Sequence, residues 1–570
     1  LCTILGAGAL VTLFFFGTTP STALTASAIT QVTPPDEIPA FTSFAIPNDY
    51  MISSECPVPY FTTEPDKVPT SIHIMNTSMY FATNIVLSLW GIEGDVRSPA
   101  EILRTLPPQG SIVIKTEEIA QALREHGSGI VEGTATVRSD QLIACLVKGT
   151  PGDGSPAYRA AYAAYPGYGR LIFPWVGMPR EDLRPRIYIQ NTTSYTTAMY
   201  IDLASNGVAR YTDTIVMGPY QLWIYDPIAE GHISESEAAT LIVENPERPL
   251  SGYMGMLDPN GALAEAWEGV GGSGTGSMLV VPKTLNRADG LYSRVWLGQT
   301  EPASFGGQTS ITYYRVGDGQ IVDQTTGLSI HYMTQFGVPL PDTPWAGAVS
   351  VQSQDLNLPE FSGAVIERFA GDAPPQDIGG YSALGYGEWY NYRVAYLPSI
   401  VRHPDYATHY WIHNPHDYYD VVAYLDIFDA QGVLKFTRAQ VIPPKTSFYW
   451  DQATMEELGM LFDGAGRITV EEMIGEIIVV GGERSLPTFD PGPTDPYEFN
   501  NTYDTAAPLD IPANINAYIG GQGDKDWYSF EIEDTSLLTV TLSNLPADYE
   551  LIIAPDPSLL PELPEGQELS

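Results

Sequence analysis

Histidine side chains cluster in one short segment of the chain. Four of the 8 histidines are His403, His409, His413 and His416. On a strand, His409 and His413 share one face because their separation is even, and converging imidazoles are typical zinc ligands. The same segment also matches apolar strand positions elsewhere, such as Ile72. The cluster therefore indicates either a zinc site or ordinary strand histidines.

A second group of side chains could bind a ligand by stacking. Tyr381, Tyr386, Trp389 and Tyr390 follow one another closely in the sequence. Aromatic rings on a β-sandwich can stack on sugar rings, and they can also pack between neighbouring modules with a polar tip left in water. The cluster is therefore a candidate carbohydrate or partner contact, with packing between modules as the alternative.

Cys56 and Cys145 are the cysteines that lie beyond the N-terminal segment, out of 3 in the chain. Cys56 precedes the first proline-marked strand, and Cys145 lies in the last strand of the first predicted module. In an oxidising compartment the two could form a disulfide that joins the ends of that module. Two unpaired structural cysteines are the alternative.

Catalytic motifs are missing from the sequence. It has no Gly-x-Ser-x-Gly elbow, no His-Glu-x-x-His, no P-loop and no dinucleotide-binding glycine pattern. Adjacent acids such as Glu117 and Glu118 do not identify a glycosidase, because that chemistry depends on the spatial distance between two carboxylates. We therefore predict that the chain is not an enzyme and requires no cofactor.

The composition limits the possible partners. The chain has 570 residues, of which 68 are acidic and 27 basic, for a formal net charge of −41. Such a protein repels a phosphate backbone, which excludes nucleic acid as the expected partner. The same excess favours solubility and attracts divalent cations. With 44% hydrophobic residues, the chain can still form several buried cores.

The elements that position these side chains recur four times. An apolar run with a proline is followed, after 17, 17, 17 and 16 residues, by a polar residue that ends an alternating strand, in the pairs Pro59–Asn76, Pro174–Asn191, Pro282–Gln299 and Pro398–Asn414. Glycine turns and further β-branched runs follow at regular intervals. This pattern predicts an all-β protein made of tandem Ig-like antiparallel β-sandwich modules.

The repeats set the expected domain boundaries, with modules at residues 55–150, 151–255, 256–370 and 371–485. We expect each module to close its own core. Modules 1 and 4 also carry a short helical pattern, which begins at Thr116 and Asp451, two good N-cap residues.

The N-terminal segment is typical of an exported protein. Residues 4–16 form an apolar stretch of signal-peptide length, and small residues suited to a signal peptidase follow at 26–28. We expect residues 1–28 to be an N-terminally incomplete signal peptide and residues 29–54 to be a Pro/Ser/Thr-rich spacer. The protein is then extracellular or at the cell surface, without a transmembrane span in the mature chain.

Two segments near the C-terminus carry a family resemblance, DWYSF at residues 526–530 and LPADYEL at residues 545–551. Residues 497–570 resemble the bacterial pre-peptidase C-terminal domain, which implies a jelly-roll-like β-sandwich. The match stops before the family's last strands, so we expect a truncated domain. Residues 486–496 form a proline-rich linker before it. The four repeats, over residues 55 to 485, are similar to tandem β-sandwich repeats of large secreted proteins from Chloroflexi-type bacteria.

The C-terminal resemblance also implies a calcium site. In some relatives, acidic and amide side chains near the start of the domain bind calcium. Here Glu498, Asn500 and Asn501 would supply oxygen ligands, together with Asp524 or Asp526 from a later loop. Asn501 stands where the family often has aspartate, so one negative charge is lost. Ordinary turn capping by these side chains is the alternative.

These features favour a non-catalytic secreted or cell-surface protein. It would act as a structural stalk or adhesin through multivalent weak contacts with cell-surface or matrix polymers or other proteins. One alternative is the accessory region of a secreted peptidase or glycoside hydrolase whose catalytic domain is absent from the sequence. The other is a carbohydrate-binding module array.

Overall fold

The computed structural model describes residues 10–17, 41–46, 52–65, 67, 69–94, 99–149, 160–163, 167–177, 183–257, 263–268, 278–286, 291–299, 307–316, 319–330, 336–338, 345–353, 361–369, 377–386, 393–403, 406–452, 455–459, 461–470, 476–485, 507–509, 525–531 and 549–554. These residues are almost entirely β-strand, which confirms the predicted all-β class. The chain divides into two compact units, Ala28–Thr488 and a second unit of Leu1–Ser27 with Phe489–Ser570, each of which is described by itself.

The described residues of the first half of the chain form sixteen strands. Two of them precede module 1, β1 (Leu10–Gly17) and β2 (Phe41–Ala45). Module 1 contains β3 (Ser53–Thr62), β4 (Thr70–Asn76), β5 (Thr83–Gly91), β6 (Ala100–Leu106), β7 (Ser111–Ile114), α1 (Thr116–Glu125) and β8 (Glu132–Gly149). Module 2 contains β9 (Ala160–Ala163), β10 (Arg170–Gly177), β11 (Arg184–Asn191), β12 (Thr197–Ser205), β13 (Val208–Met217), β14 (Leu222–Tyr225), β15 (Ala238–Glu244) and β16 (Leu250–Leu257).

The second half repeats this order. Module 3 contains β17 (Leu263–Glu268), β18 (Met278–Asn286), β19 (Leu291–Gln299), β20 (Gly307–Arg315), β21 (Ile321–Ile330), β22 (Phe336–Val338), β23 (Trp345–Ser353) and β24 (Phe361–Phe369). Module 4 contains β25 (Asp377–Tyr386), β26 (Val394–His403), β27 (Tyr406–His413), β28 (Val421–Asp429), β29 (Leu434–Ile442), β30 (Ser447–Asp451), β31 (Phe462–Val470) and β32 (Ile478–Ser485). The last strands are β33 (Ala507–Pro508), β34 (Lys525–Glu531) and β35 (Tyr549–Ala554).

Each module has the same seven antiparallel strands, which we label A to G. Module 2 shows the arrangement most simply, with A, F, C and D forming one sheet (β10-β15-β12-β13) and E, B and G forming the other (β14-β11-β16). In module 1, the single long strand β8 supplies both F and G. Successive side chains of a strand point to opposite faces of the sheet. Along β28, Val421, Ala423 and Leu425 therefore point into the core, and the residues between them are half-buried.

The repeated proline lies at a β-bulge in strand A of every module. The ladder between strands A and F shifts register at each of these sites, between Val58/Phe61, Phe173/Val176, Val281/Thr284 and Leu397/Ile400. Proline has no backbone N–H to give to a ladder, so a bulge is where a strand tolerates it. The spacing found in the sequence therefore reflects one structural position.

A linking strand precedes strand A in every module and pairs with strand G of the module before it. The pairs are β9 with β8, β17 with β16, and β25 with β24. For module 1 the linking strand is β2, from the predicted spacer, and its partner is β32 of module 4. The linking strands also pack on one another in cyclic order: β9 and β25 each contact both β2 and β17. The four modules therefore form a closed ring.

Strand A of each module packs on strands B and G of the next module around this ring. The contacts are β3 with β11 and β16, β10 with β19 and β24, β18 with β27 and β32, and β26 with β4 and β8. We call these four interfaces the 1–2, 2–3, 3–4 and 4–1 seams. The hydrophobic cores cross them, since the module 1 core includes Tyr188 and the module 4 core includes Leu146. Each module therefore closes its core with help from its neighbour, which differs from the expected independent cores.

A glycine turn fixes three of the seams. The turn between strands C and D contains a glycine with positive φ in every module: Gly94, Gly207, Gly319 and Gly432. A Cβ at Gly94 would lie 2.1 Å from the Pro219 oxygen of module 2, and one at Gly432 would lie 2.0 Å from the Pro108 oxygen of module 1. Gly319 meets Pro444 in the same way, at 2.5 Å. Glycine is required there both by conformation and by space.

The helical patterns have different outcomes. Module 1 forms α1, but its N-cap is Lys115, because the Thr116 hydroxyl donates to the Thr70 oxygen in β4 (2.7 Å). In module 4 the described part of the pattern forms a short 3₁₀ helix, Glu456–Leu458, instead of an α-helix. None of the helices in the described residues has the length and apolar character needed to cross a membrane.

In the second unit, the described residues form a four-stranded sheet in the order β33-β34-β1-β35. Strand β1, which falls in the predicted signal peptide, pairs antiparallel with β34 and β35. The export prediction for residues 1–28 stays a prediction. The linker at 486–496 and most of the predicted jelly-roll-like sandwich lie outside the described residues.

Candidate functional site

The loop between strands B and C is built in the same way in modules 1, 2 and 4. A fully buried asparagine lies there, as the last residue of β4 and of β11 and directly after β27. Its side-chain nitrogen donates to the backbone oxygen of an aromatic residue in the loop, in the pairs Asn76–Phe81 (2.8 Å), Asn191–Tyr195 (2.7 Å) and Asn414–Tyr419 (2.8 Å). The repeated polar residue of the sequence is therefore the anchor of this loop.

Two further hydrogen bonds complete each anchor. The same nitrogen donates to a backbone oxygen where strand D ends, at Pro107 (2.9 Å), Gly218 (2.8 Å) and Ile442 (2.9 Å). The side-chain oxygen accepts from a backbone N–H two residues on, at Ser78, Thr193 and His416, each at 3.0 Å. A buried amide satisfied on both sides holds the loop in one conformation.

The anchored loops expose their aromatic side chains. The exposed fractions are Tyr80 78%, Phe81 63%, Tyr195 60%, Tyr418 85% and Tyr419 56%, and Met79 beside Tyr80 is 53% exposed. Single exposed apolar residues are ordinary on a protein surface. Here the same loop exposes an aromatic ring in all three modules where it is described, and module 3 has Phe305 at the corresponding place in the sequence, outside the described residues. We call these loops the aromatic loops.

Polar and charged groups border the aromatic loops. Beside the module 1 loop, the Asp140 carboxylate accepts from the Thr83 hydroxyl (2.6 Å) and the Asn84 backbone (3.0 Å), and these hydrogen bonds lower the pKa of Asp140. In module 2, the Arg248 guanidinium lies 4.8 Å from the centre of the Tyr195 ring. The loops therefore combine rings with groups that accept or donate hydrogen bonds.

The module 4 loop has a carboxylate of its own. Asp417, whose side chain is 66% exposed, pairs with Lys445 at 3.0 Å. Lys445 also donates to the Pro415 oxygen at 2.5 Å, which ties the loop to the next turn. Tyr418 and Tyr419 follow directly and are both exposed.

The histidine segment lies inside module 4. His409 and His413 are buried in β27, and the His413 Nδ1 lies 3.1 Å from the Ser447 hydroxyl oxygen. Burial, followed by the charge of Lys445, lowers the pKa of His413 to about 3. Among the described residues, no three His, Cys, Asp or Glu side chains come together as a metal-binding group. These two histidines occupy core positions of a strand.

The predicted carbohydrate contacts fall partly outside the described residues. Tyr381 and Tyr386 belong to β25, whose backbone contacts β2 and β17. The structure describes the backbone of these two residues but not their side chains. Trp389 and Tyr390 lie outside it altogether. Their role stays a prediction.

The predicted calcium ligands also lie mostly outside the described residues. Glu498, Asn500, Asn501 and Asp524 lie outside the described residues, and only the backbone of Asp526, in β34, is inside them. Calcium binding therefore stays a prediction.

The structure joins Cys56 to Cys145 by a disulfide, with a Cα–Cα distance of 6.4 Å. Cys56 lies in β3, at the 1–2 seam, and Cys145 in the part of β8 that contributes to the 4–1 seam. Both are 1% exposed. The bond links a strand of the 1–2 seam, β3, to a strand of the 4–1 seam, β8.

Comparisons with known proteins give this chain no family. No family model matches it, and no curated protein matches it. Among solved structures, the subviral particle of infectious bursal disease virus VP2 aligns at 9% identity over 79% of this chain and 86% of that chain, with a TM-score of 0.09. A score that low carries no argument about fold or function.

Proposed function

We propose that this protein is a non-catalytic extracellular attachment protein that binds cell-surface or matrix polymers through its aromatic loops. The observation that supports the proposal is the recurrence of an anchored, exposed aromatic ring in the same loop of modules 1, 2 and 4. Export agrees with the N-terminal sequence pattern and with a disulfide in module 1, since disulfides persist in oxidising compartments.

The closed ring of four modules determines how such binding sites would act. Because module 4 contacts module 1, the aromatic loops lie at equivalent positions around one body instead of along an extended stalk. Several weak sites on one body gain avidity when the target offers many copies of its ligand, with gains of about 10²–10⁴. We therefore retain multivalent adhesion from the sequence interpretation and replace the stalk with a ring.

Solid-phase adhesion tests this proposal. The purified chain is applied to bacterial cell walls and to extracellular matrix preparations, with albumin-coated wells as background. A three-loop variant removes every exposed ring of the described loops, with Tyr80→Ala, Phe81→Ala, Tyr195→Ala, Tyr418→Ala and Tyr419→Ala. A matched control variant removes five exposed side chains from strands, Leu103→Ala, Tyr200→Ala, Val208→Ala, Val216→Ala and Ile321→Ala, which are 65%, 53%, 56%, 67% and 60% exposed.

We expect the wild-type chain and the control variant to adhere equally well. The three-loop variant should lose adhesion by at least about tenfold, because avidity multiplies small losses at each site. Single-loop variants should lose much less. The proposal is wrong if the wild-type chain adheres to no surface, or if the three-loop variant adheres as well as the control.

A further inference from the structure

The ring types in the aromatic loops narrow the ligand chemistry. Tyr195, Tyr418 and Tyr419 are exposed tyrosines, each with a flat apolar face and a hydroxyl that hydrogen-bonds. A ligand that suits them needs an apolar face of similar width with polar groups around its edge. A pyranose ring has this form, with C–H bonds on its faces and hydroxyl groups at its rim.

Charge excludes several other polymers. The chain carries a net charge of −41, and Asp140, Asp417 and Asp420 lie in or beside the aromatic loops, with Asp417 and Asp420 exposed. Polymers rich in phosphate, sulfate or uronate, and membranes of anionic lipid, are repelled by such a surface. An uncharged ligand is not, and its hydroxyl groups can donate to these carboxylates.

The backbone of the aromatic loops is also fixed before binding. The buried asparagines hold the loop backbone before any ligand arrives, and a tyrosine side chain has only two rotatable angles to fix. Little conformational entropy is therefore lost on binding. A site repeated once per module also matches a ligand that repeats its own unit.

From these observations we infer that each aromatic loop binds a short segment of an uncharged polysaccharide, by stacking its exposed ring on a sugar ring. In modules 1 and 4 a carboxylate beside the loop, Asp140 or Asp417, accepts hydrogen bonds from the sugar hydroxyls. In module 2 the Arg248 guanidinium beside Tyr195 donates to them. This inference rests on the proposed attachment function and names its ligand. It adds the loops between strands B and C to the contact that the sequence predicts at Tyr381, Tyr386, Trp389 and Tyr390.

Polysaccharide pull-down tests the ligand class. The full chain is incubated with insoluble uncharged polysaccharides (a β-glucan, chitin and a mannan) and with acidic ones (alginate and pectate gels). We expect retention by at least one uncharged polymer, weak retention by the acidic ones, and little change between low and high salt, since no ion pair is formed. The three-loop variant should bind at least about tenfold more weakly, and the strand control should bind as the wild type does.

A conservative variant separates stacking from loop folding. Tyr195→Trp with Tyr419→Trp keeps flat rings in both loops and should retain or strengthen binding. Retention by acidic polymers only, with strong salt dependence, would overturn the inference. So would equal binding by the three-loop and strand-control variants.

A second arm distinguishes failure of this inference from failure of the attachment function. Cell walls are treated either with periodate, which destroys sugar rings, or with a broad protease. Adhesion that survives periodate and disappears after protease would reject the polysaccharide while leaving attachment intact. Loss of adhesion after periodate alone supports it. Absence of adhesion to untreated walls would reject the attachment function itself.

Discussion

The 1–2 seam and the 4–1 seam use the same strands but different chemistry. The residue after the bulge proline is Tyr60 at the first seam and Ser399 at the second. Tyr60 packs 4.5 Å from Tyr188 of module 2. Ser399 instead accepts a hydrogen bond from the Lys148 ammonium of module 1 at 2.7 Å.

The facing strands differ in the same way. The cross-strand pair of strands B and G is Tyr188–Tyr253 at the 1–2 seam, with stacked rings 4.9 Å apart. The equivalent pair at the 4–1 seam is His73–Leu146. Lys148 also forms an ion pair with Glu483 of module 4, and both side chains are almost completely buried. One seam is aromatic and the other contains a buried ion pair.

The order of the modules offers a reason. Modules 1 and 2 are consecutive in the chain, so their contact is local and general aromatic packing suffices. Modules 4 and 1 meet only when the ring closes, and the equivalent strands of another module, which lack this lysine, could compete for the same contact, within this chain or from a second copy. A buried ion pair penalises wrong partners more than it stabilises the right one. We infer that Lys148 and Glu483 make ring closure specific.

The largest effect should follow from breaking this ion pair. Glu483→Ala leaves the Lys148 ammonium buried without its carboxylate, and we expect a loss of about 3–5 kcal/mol in the free energy of unfolding. Urea denaturation of the Ala28–Thr488 signal measures it. The control replaces both partners, Lys148→Met with Glu483→Leu, and should be nearly neutral in stability but should form more dimers or larger species by size-exclusion chromatography. Monomers from the double variant would refute the specificity role.

The disulfide should have the next largest effect. Cys56→Ala with Cys145→Ala removes the bond between the strands of the two seams, and we expect a loss of about 2–4 kcal/mol. Hydrogen exchange should speed up in both β3 and β8, because the bond joins them. Strands β20 and β21 of module 3, which is not adjacent to module 1 in the ring, provide the internal control. Faster exchange in β3 alone would show that the bond does not couple the seams.

Glycine substitutions should show whether the two seams share their turn geometry. Gly94 at the 1–2 seam and Gly432 at the 4–1 seam have φ of 67° and 76°, and a Cβ at either would meet a proline oxygen of the next module. Gly459 has a similar φ of 71° but open space around it. Gly459→Ala should cost about 1–2 kcal/mol from backbone strain alone.

Gly94→Ala and Gly432→Ala should each cost about 1–3 kcal/mol more than that, from the added clash. Thermal unfolding of the three single variants measures the difference. Equal losses at all three positions would mean that the turns do not hold the seams.

Much of the fold was predictable because it is local and repeated. Proline spacing located the strand A bulges, and the recurring asparagine marked the end of strand B. Ring closure was not predictable, because β2 pairs with β32 more than four hundred residues away, and the short apolar run of β2 lies in a segment that reads as a spacer. Sharing of cores was missed for the same reason, since no local pattern distinguishes a side chain that faces its own core from one that faces the next module.

The candidate site was only partly predictable. The sequence pointed to the aromatic residues between Tyr381 and Tyr390. The exposed rings of the described loops lie four or five residues after each repeated asparagine, two in module 1, one in module 2 and two in module 4. Aligning the residues that follow Asn76, Asn191 and Asn414 would have found them. The sequence alone does not predict the exposure of Phe81 and Tyr195, because phenylalanine and tyrosine are residue types that are often buried in a core.

His73 should have the smallest effect on stability near neutral pH. This prediction also distinguishes the two seams most directly. His73 stands where the 1–2 seam has Tyr188, and burial, with the charge of Lys148, lowers its pKa well below the usual value of 6.5. Below pH 6.5 the unfolded chain binds a proton here and the folded chain does not, so stability falls as the pH falls, by about 1.4 kcal/mol per pH unit at most.

Glu483 acts in the opposite direction, because burial raises the pKa of its carboxyl, so that the folded state binds more protons above pH 4.5. The contribution of His73 therefore has to be isolated by difference. We expect His73→Gln to lessen the decline of stability between pH 6.5 and 5, and His126→Gln, at the exposed end of α1, to leave it as in the wild type. Urea unfolding at several pH values measures both slopes. If the stability of the His73→Gln and His126→Gln variants declines equally as the pH falls, protonation of His73 does not contribute to acid sensitivity. The two seams would then differ in packing but not in their response to pH.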